Sequence, residues 1–534
     1  MIRVTCLGGA GSVTGSNYLI ESPHGKKILV DCGLFQGARR IERRNWEPWG
    51  FNPEDIEILF LTHAHIDHSG RIPKLVKDGF RGKIMTSPPT AELCEIMLLD
   101  SAHVQEMETE WQNRRNKRQD RRPMEPLYTT EDAETSLSFF QPIERDKTVA
   151  IEPGLQARLR NAGHILGSSI LELWFEGQDD SVKVVFSGDL GQKSQLIVRD
   201  PHQIFNADYL FIESTYGDRL HRNLEESKKE LLEAISYSYA HGEKTIIPAF
   251  AVERTQEILY VLGEFRREGL LPDIPVYLDS PLAIKATEIF KKNKNCYDEE
   301  AQALVDRDDN PFDMPNLRYT PSTQESIQIN ERSGPAIVIA GSGMMTGGRI
   351  KHHLKHNLWR EGASLVIVGF QARGSTGRRI IEGAKFVKIF GQNVAVKARV
   401  FTIGGFSAHA DQNDLLRWVG HFESSPQVFV VHGEATASQT LAREIEKRFN
   451  LKVHVPRWRE RLVLKPRELV IEEPEELEAA PDFETMILNG LIDLEKEIKA
   501  LRKRVHLKAK TDDLEEGDVD RLKYVQEELR AILS

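Results

Sequence analysis

The sequence predicts an α/β protein in which a β-rich domain is interrupted by an inserted α/β domain with a parallel sheet and is followed by a helical tail. Three observations carry this. Short apolar runs broken by glycine dominate the first 90 or so residues and return after about residue 398. Between them, continuous apolar runs alternate with helical stretches, the pattern of a parallel sheet covered on both faces. After Pro466 an acidic linker, EEPEELEAAP, leads into heptad-spaced apolar residues. At roughly 100 to 200 residues per domain, 534 residues hold two to four domains.

In chain order, strands are predicted at residues 1–7, 17–21, 27–30 and 56–61. Helix formers fill 90–110 and run into WQNRRNKRQDRRP, which Pro123 and Pro126 bring to an end. This reads as a helical insertion with a charged tip. Six Arg or Lys between Arg114 and Arg122 fit a solvated face as readily as a partner surface. Strands resume at 155–160, 169–175 and 182–187. The alternating part places strands at 207–212, 245–247, 276–278, 336–340 and 364–368, with helices at 225–240 and 254–268. The β-rich pattern returns with 398–403, 428–431 and 451–455. The expected division is therefore 1–208 for the first part of the β-rich domain, 209–395 for the insert, 396–465 for the second part and 466–534 for the linker and a helical hairpin. In that tail, Ile487, Leu491, Leu494, Ile498, Leu501 and Val505 form one apolar seam, and Val519, Leu522, Val525, Leu529 and Ile532 a second. Docking back on the body and self-association into a homodimer both fit the seam.

Net charge is −10, from 71 Lys and Arg against 81 Asp and Glu. That excludes a basic nucleic-acid-coating protein and a disordered chain, and it leaves room for a local basic groove. The four cysteines, Cys6, Cys32, Cys94 and Cys296, show no CxxC pairing, and MIRVTCLGG carries no charged start followed by an apolar core. A cytoplasmic, reduced protein is expected. No run of about 18 apolar residues predicts a membrane helix. Any zinc must be held without a cysteine cluster.

The strongest local signal is LFLTHAHIDHSG, where His63, His65, Asp67 and His68 follow directly on an apolar run. Four metal-competent side chains at the end of one buried strand can serve two neighbouring ions, with positions 63 and 65 reaching one and 67 and 68 turning toward another. His164 in NAGHILGSS, Asp189 at the end of VKVVFSGDL and His432 at the end of QVFVVHGE repeat the arrangement: a short strand delivers a ligand at or just past its carboxyl end. Each alone is weak, since Gly-Asp is also a common turn. Together with the His/Asp cluster they point to a two-metal site.

With IESTYG around Glu213 and FSAHAD around His409, this set resembles the motifs of the β-CASP nucleases of the metallo-β-lactamase superfamily. The opening GGAGSVTGSNYLIE and DCGLFQG join the resemblance, which covers about residues 1–465; the tail lies outside it. It implies a metallo-β-lactamase αββα sandwich, an inserted parallel-sheet α/β (β-CASP) domain and, here, a helical C-terminal tail. It further implies two zinc ions per chain, His63, His65 and His164 holding one and Asp67, His68 and His432 the other, with Asp189 bridging. Manganese is the alternative ion, since imidazole and carboxylate accept both. The activity implied is hydrolysis of phosphodiester bonds in single-stranded RNA by a two-metal hydroxide mechanism, as endonuclease, 5′–3′ exonuclease or both. In that scheme His409 donates the proton to the leaving oxygen and Glu213 orients it. Asp31, ending KKILVD, would fix the tautomer of a ligand histidine; its other reading is a turn aspartate before Gly33.

RNA contacts are expected from the insert. AGSGMMTGGR offers Ser342, Gly343 and Thr346 in a loop whose backbone N–H groups can approach phosphate oxygens, and FQARGSTGRR repeats the design with Arg373 and Arg378. Neither matches GxxxxGK[ST], which excludes an ATP-hydrolysing loop of that type. Arg254 in PAFAVERTQE and Ser280 in LDSPLA also resemble stretches of the family, and each doubles as ordinary helix-start chemistry. A small-molecule metallohydrolase acting on a thioester or lactam is the alternative function, but it leaves the insert, His409 and the basic loops without a role. A third reading, an inactive RNA-binding scaffold, requires lost ligands, and none is missing.

Overall fold

The computed structural model describes residues 1–118, 122–176, 181–307, 309–369, 371–372, 374–465 and 468–472. The predicted hairpin from Ile487 to Ile532 lies outside the described residues.

Two mixed sheets face each other. Alternating inward residues, as in Ile2–Cys6 and Leu155–Asn161, give each strand one apolar face. The eight-stranded sheet contains Ile2–Cys6, Tyr18–Glu21, Lys27–Val30, Ile56–Phe60 and Lys83–Thr86. The seven-stranded sheet contains Leu155–Asn161, Ser169–Glu176, Ser181–Phe186, Tyr209–Ile212 and Gln427–Val430. Val4, Ile28 and Phe60 from the first meet Leu173, Val184, Phe211 and Phe429 from the second in one buried core. Helices cover both outer faces; Gln412–Val419 and Ala435–Phe449 pack against the seven-stranded sheet. This is the αββα sandwich.

A third sheet of six strands is inserted, in the order Leu317–Tyr319, Val276–Asp279, Ala336–Ala340, Lys244–Pro248, Ser364–Ile367, Arg399–Thr402, all parallel. Its central strands are buried along their whole length, which is why they read as unbroken apolar runs.

Three strands differ from expectation. Tyr209–Ile212, expected to open the insert, pairs in parallel with Ser181–Phe186 and Gln427–Val430 inside the sandwich. Arg399–Thr402, expected in the returning part, pairs with Ser364–Ile367 in the insert. Tyr209–Ile212 is buried on both faces and Arg399–Thr402 is a four-residue edge strand with only Phe401 buried, so neither residue pattern assigns its sheet. Residues 468–472, expected in the tail, form the strand Glu468–Glu472 against Arg461–Lys465 at the edge of the eight-stranded sheet. Among the described residues no helix is long and apolar enough to cross a membrane.

Candidate metal centre

Every metal-competent residue singled out in the sequence arrives at one place, because each follows a strand of the sandwich. His63, His65, Asp67 and His68 follow Ile56–Phe60; His164 follows Leu155–Asn161; Asp189 follows Ser181–Phe186; His432 follows Gln427–Val430. His63 Nε2 and His164 Nε2 each lie 3.1 Å from His65 Nδ1, and Asp189 Oδ2 lies 3.6 Å from the first and 3.7 Å from the second. On the other side of Asp189, Oδ1 is 3.3 Å from both His68 Nε2 and His432 Nδ1. His68 Nε2 meets His432 Nε2 at 3.0 Å, and Asp67 Oδ2 is 3.6 Å from His432 Nε2. The donors form two adjoining groups that could each hold a cation, with Asp189 against both.

These residues fit metal ions. Asp189 is buried and its Oδ1 accepts no hydrogen bond, an expensive state for a carboxylate without a cation beside it. Burial holds the pKa of His63 and His164 well below the ordinary imidazole value and that of His65 down to about 4, so these rings are neutral and have lone pairs to offer. Hydrogen bonds behind the rings aim them. Asp31, itself at φ +59°, accepts the Thr62 amide at 2.8 Å and faces His68 Nδ1 at 2.7 Å, which turns His68 Nε2 toward Asp189. Thr62 Oγ1 stands between Asp31 at 3.0 Å and His63 Nδ1 at 3.1 Å and does the same for His63.

His409 lies beside the two groups, its Nδ1 3.4 Å from Glu213 Oε1 and 3.8 Å from Asp189 Oδ2. Glu213 is fully buried; its Oε1 accepts the Leu190 amide at 2.7 Å and its Oε2 that of Thr215 at 3.2 Å. The Ala410 amide donates to the Leu190 carbonyl at 2.7 Å, which ties the His409 segment to the Asp189 loop. Burial disfavours the charged His409 ring, but Glu213 and Asp189 outweigh it and raise its pKa to about 9. With a side chain still 22 % exposed, His409 can reach both solvent and the centre.

Three family patterns match the chain in order: the metallo-beta-lactamase superfamily over residues 10–240, the Beta-Casp domain over 255–380 and the Zn-dependent metallo-hydrolase RNA specificity domain over 393–456. Ribonuclease TTHA0252 of Thermus thermophilus is 39 % identical over 433 residues, covering 81 % of this chain and 93 % of that protein. The chain belongs to the β-CASP ribonuclease family of the metallo-β-lactamase superfamily. Transcription termination factor FttA of Methanocaldococcus jannaschii is 31 % identical over 465 residues, covering 85 % of this chain and 70 % of that protein. The factor of the same name from Methanosarcina mazei is also 31 % identical over 465 residues, covering 84 % and 70 %.

Within the β-CASP insert, the glycine-rich loops sit at the carboxyl ends of parallel strands. Gln371 Nε2 donates to the Gly343 carbonyl at 2.9 Å and so joins the two loops. Ser342 Oγ accepts the Gly347 amide at 3.3 Å, and Gly343 packs closely on the Phe250 ring. Thr346 is exposed. Ser280 caps Pro281–Lys292, with its hydroxyl beside Gly341. Arg378 is half-exposed and pairs with Glu382. Arg254 is held in a pair with buried Glu257, with its side chain 11 % exposed. Arg373 lies outside the described residues.

Sequence reasoning missed several residues around the centre. Thr62 is one, although its place directly before His63 was a usable signal. Gln195 is another: its Nε2 donates to the His164 carbonyl at 3.2 Å and faces Glu253 and Glu257 at 3.4 Å, linking insert and sandwich. His221, whose Nε2 lies 2.9 Å from the His409 carbonyl, had no local signal.

Proposed function

We propose that the protein is a zinc-dependent ribonuclease that hydrolyses phosphodiester bonds of single-stranded RNA, as an endonuclease, a 5′–3′ exonuclease or both. The observation that carries this reading is the pair of adjoining donor groups around Asp189 with His409 beside them. In this reading His63, His65 and His164 would hold one zinc and Asp67, His68 and His432 the other, with Asp189 shared. When bound there, zinc would lower the pKa of a water toward neutrality and offset charge on the scissile phosphate. His409, oriented by Glu213, delivers a proton to the departing 3′ oxygen, which leaves a 5′-phosphate on the other fragment. Asp31 and Thr62 keep the ligand rings in the tautomers the ions need. Ser280, Ser342, Gly343, Thr346 and Arg378 line the approach of the strand.

The division of the chain that goes with this reading is 1–208, 209–395, 396–465 and 466–534, adjusted at the three strands described above. Four free, buried cysteines support a reducing cytoplasmic site of action. Self-association through 466–534 rests on the heptad spacing alone.

The test is a time course on single-stranded RNA labelled at either the 5′ or the 3′ end, with metal content measured in the same samples. Internal fragments, or 5′ mononucleotides, from the metal-loaded wild type support the reading. No cleavage of RNA by fully metallated protein overturns it.

A further inference from the structure

The helix Pro88–Lys117 is 30 residues long, and its last buried side chain is Ala102. Its inner half belongs to the core. Ser87 and Thr90 hydroxyls donate to the Gly167 carbonyl, three residues beyond His164, at 2.6 and 3.0 Å. It then runs antiparallel to Pro281–Lys292: Glu92 pairs with Lys292 and Asn293, and Asp100 feels Lys285. Continuing that register brings the residues just after Ala102 level with Ser280, at the end of the insert that carries the glycine-rich loops.

Beyond that point one side of the helix is exposed among the described residues. The returning segment covers the opposite face, where the Asn113 side chain bonds both the amide and the carbonyl of Met124 at 2.7 and 2.8 Å. The open face carries Val104, Met107 and Trp111, which are 45 %, 58 % and 63 % exposed. At 100° per residue Arg115 and Arg118 continue the same stripe, with Arg114 at its border. From Val104 to Arg118 the stripe is about 21 Å long at 1.5 Å per residue. An aromatic ring beside clustered guanidinium groups is the composition that stacks bases and neutralises phosphates of a single strand. The positive charge is confined to the tip: six basic residues and one acidic residue lie between Trp111 and Arg122, whereas Glu106, Glu108 and Glu110 precede them, Glu108 on the stripe itself and Glu110 paired with Arg114 at 3.2 Å.

We propose that this outer half-helix is an RNA-binding arm, with Trp111 stacking on a base and Arg114, Arg115 and Arg118 contacting phosphates of the strand beyond the cleft. The proposal rests on the ribonuclease reading and adds a second, remote contact for the same substrate. It gives long RNA an advantage that short RNA lacks.

The experiment compares an RNA of about 8 nucleotides, within the span of a single cleft, with one several times longer. Both are cleaved by metal-loaded full-length protein, as wild type, as Trp111→Ala and as Arg114→Gln/Arg115→Gln/Arg118→Gln. The arm predicts that KM for long RNA rises about fivefold in the Trp variant and about tenfold in the triple variant, with kcat and all constants for short RNA unchanged. The triple variant also lowers the salt slope of log(kcat/KM) on long RNA by about 2, from three contacts at roughly 0.7 each. Unchanged KM and salt slope on long RNA overturn the arm. Equal losses on both substrates overturn it too, in favour of a structural helix, as does a wild-type dimer that the substitutions break while leaving RNA kinetics untouched. A metal-loaded wild type that cleaves neither RNA removes the ribonuclease reading itself, a result distinct from failure of the arm.

Discussion

Asp31 and His68 are joined at 2.7 Å, carboxylate Oδ2 to imidazole Nδ1, deep in the sandwich and next to the metal-competent cluster. The same carboxylate takes the Thr62 amide, the Thr62 hydroxyl and the Ser16 hydroxyl, so its orientation is set from three directions. One side chain thereby fixes the ring that faces Asp189 and, through Thr62, the ring of His63.

Removing that carboxylate should weaken metal binding before it weakens the fold. Asp31→Ala is expected to lower zinc affinity by about 10- to 100-fold, the usual effect of losing a carboxylate behind a ligand histidine. Titration with a competing chelator, read by metal analysis, measures it; unchanged affinity contradicts the role.

His409→Ala separates proton transfer from metal binding. Its kcat on RNA is expected to fall by about 10²- to 10⁴-fold with zinc content unchanged, whereas Asp189→Ala should lose both activity and zinc. Parallel steady-state kinetics and metal analysis check the pair. A His409 variant that loses its zinc would make the residue a ligand.

Gly33 offers a sharp steric test. A Cβ there would stand 1.6 Å from the Asp67 carbonyl oxygen and 2.8 Å from the Ser16 amide nitrogen, both backbone atoms that cannot rotate away. Gly33→Ala should therefore displace the loop that bears Asp67 and His68, costing roughly 3 kcal/mol or more and lowering zinc content. Melting temperature and metal analysis on one preparation report both effects.

The local sequence carried most of the centre and little of what surrounds it. His63 to His68 were legible because a strand end and its ligands are contiguous, and His164, Asp189 and His432 because each repeats that short pattern. Tyr209–Ile212 was not, since a strand buried on both faces looks alike whichever sheet holds it, and neither was Arg399–Thr402, a short edge strand with only Phe401 buried, whose pattern names no partner. The pairing of Arg254 was not legible either: it depends on Glu257 one helical turn away and on burial of that turn, which residue type alone does not reveal. Gln195 and His221 act through backbone carbonyls of residues distant in sequence, so no spacing announces them.

Three neighbouring strands of the seven-stranded sheet, Leu155–Asn161, Ser169–Glu176 and Ser181–Phe186, supply a pH prediction away from the candidate metal centre. Glu172 is buried, with Lys183 Nζ at 2.6 Å, Arg158 Nε at 2.7 Å and Arg160 Nε at 3.3 Å. Burial alone would raise its pKa, but the surrounding cations outweigh it and the carboxyl titrates below its ordinary value of 4.5. The stabilisation is therefore complete above that value and is lost as pH falls through the lower, folded-state pKa. Glu172→Gln should cost about 2 to 4 kcal/mol at neutral pH. The gap in melting temperature from wild type should close on acidification; a gap that holds at low pH would show packing, not charge, to be the cause.

The strands Tyr209–Ile212 and Gln427–Val430 are hydrogen-bonded neighbours, yet the whole six-stranded sheet lies between them in the chain. In polymer terms the insert is the loop of a two-strand connection. Closing a flexible loop costs only about 0.6 kcal/mol more for each doubling of its length, and a loop that folds on its own core escapes part of even that. Parallel neighbours need a crossover connection in any case, and here a whole domain fills it while Asp189, Glu213 and His432 keep their places at the strand ends.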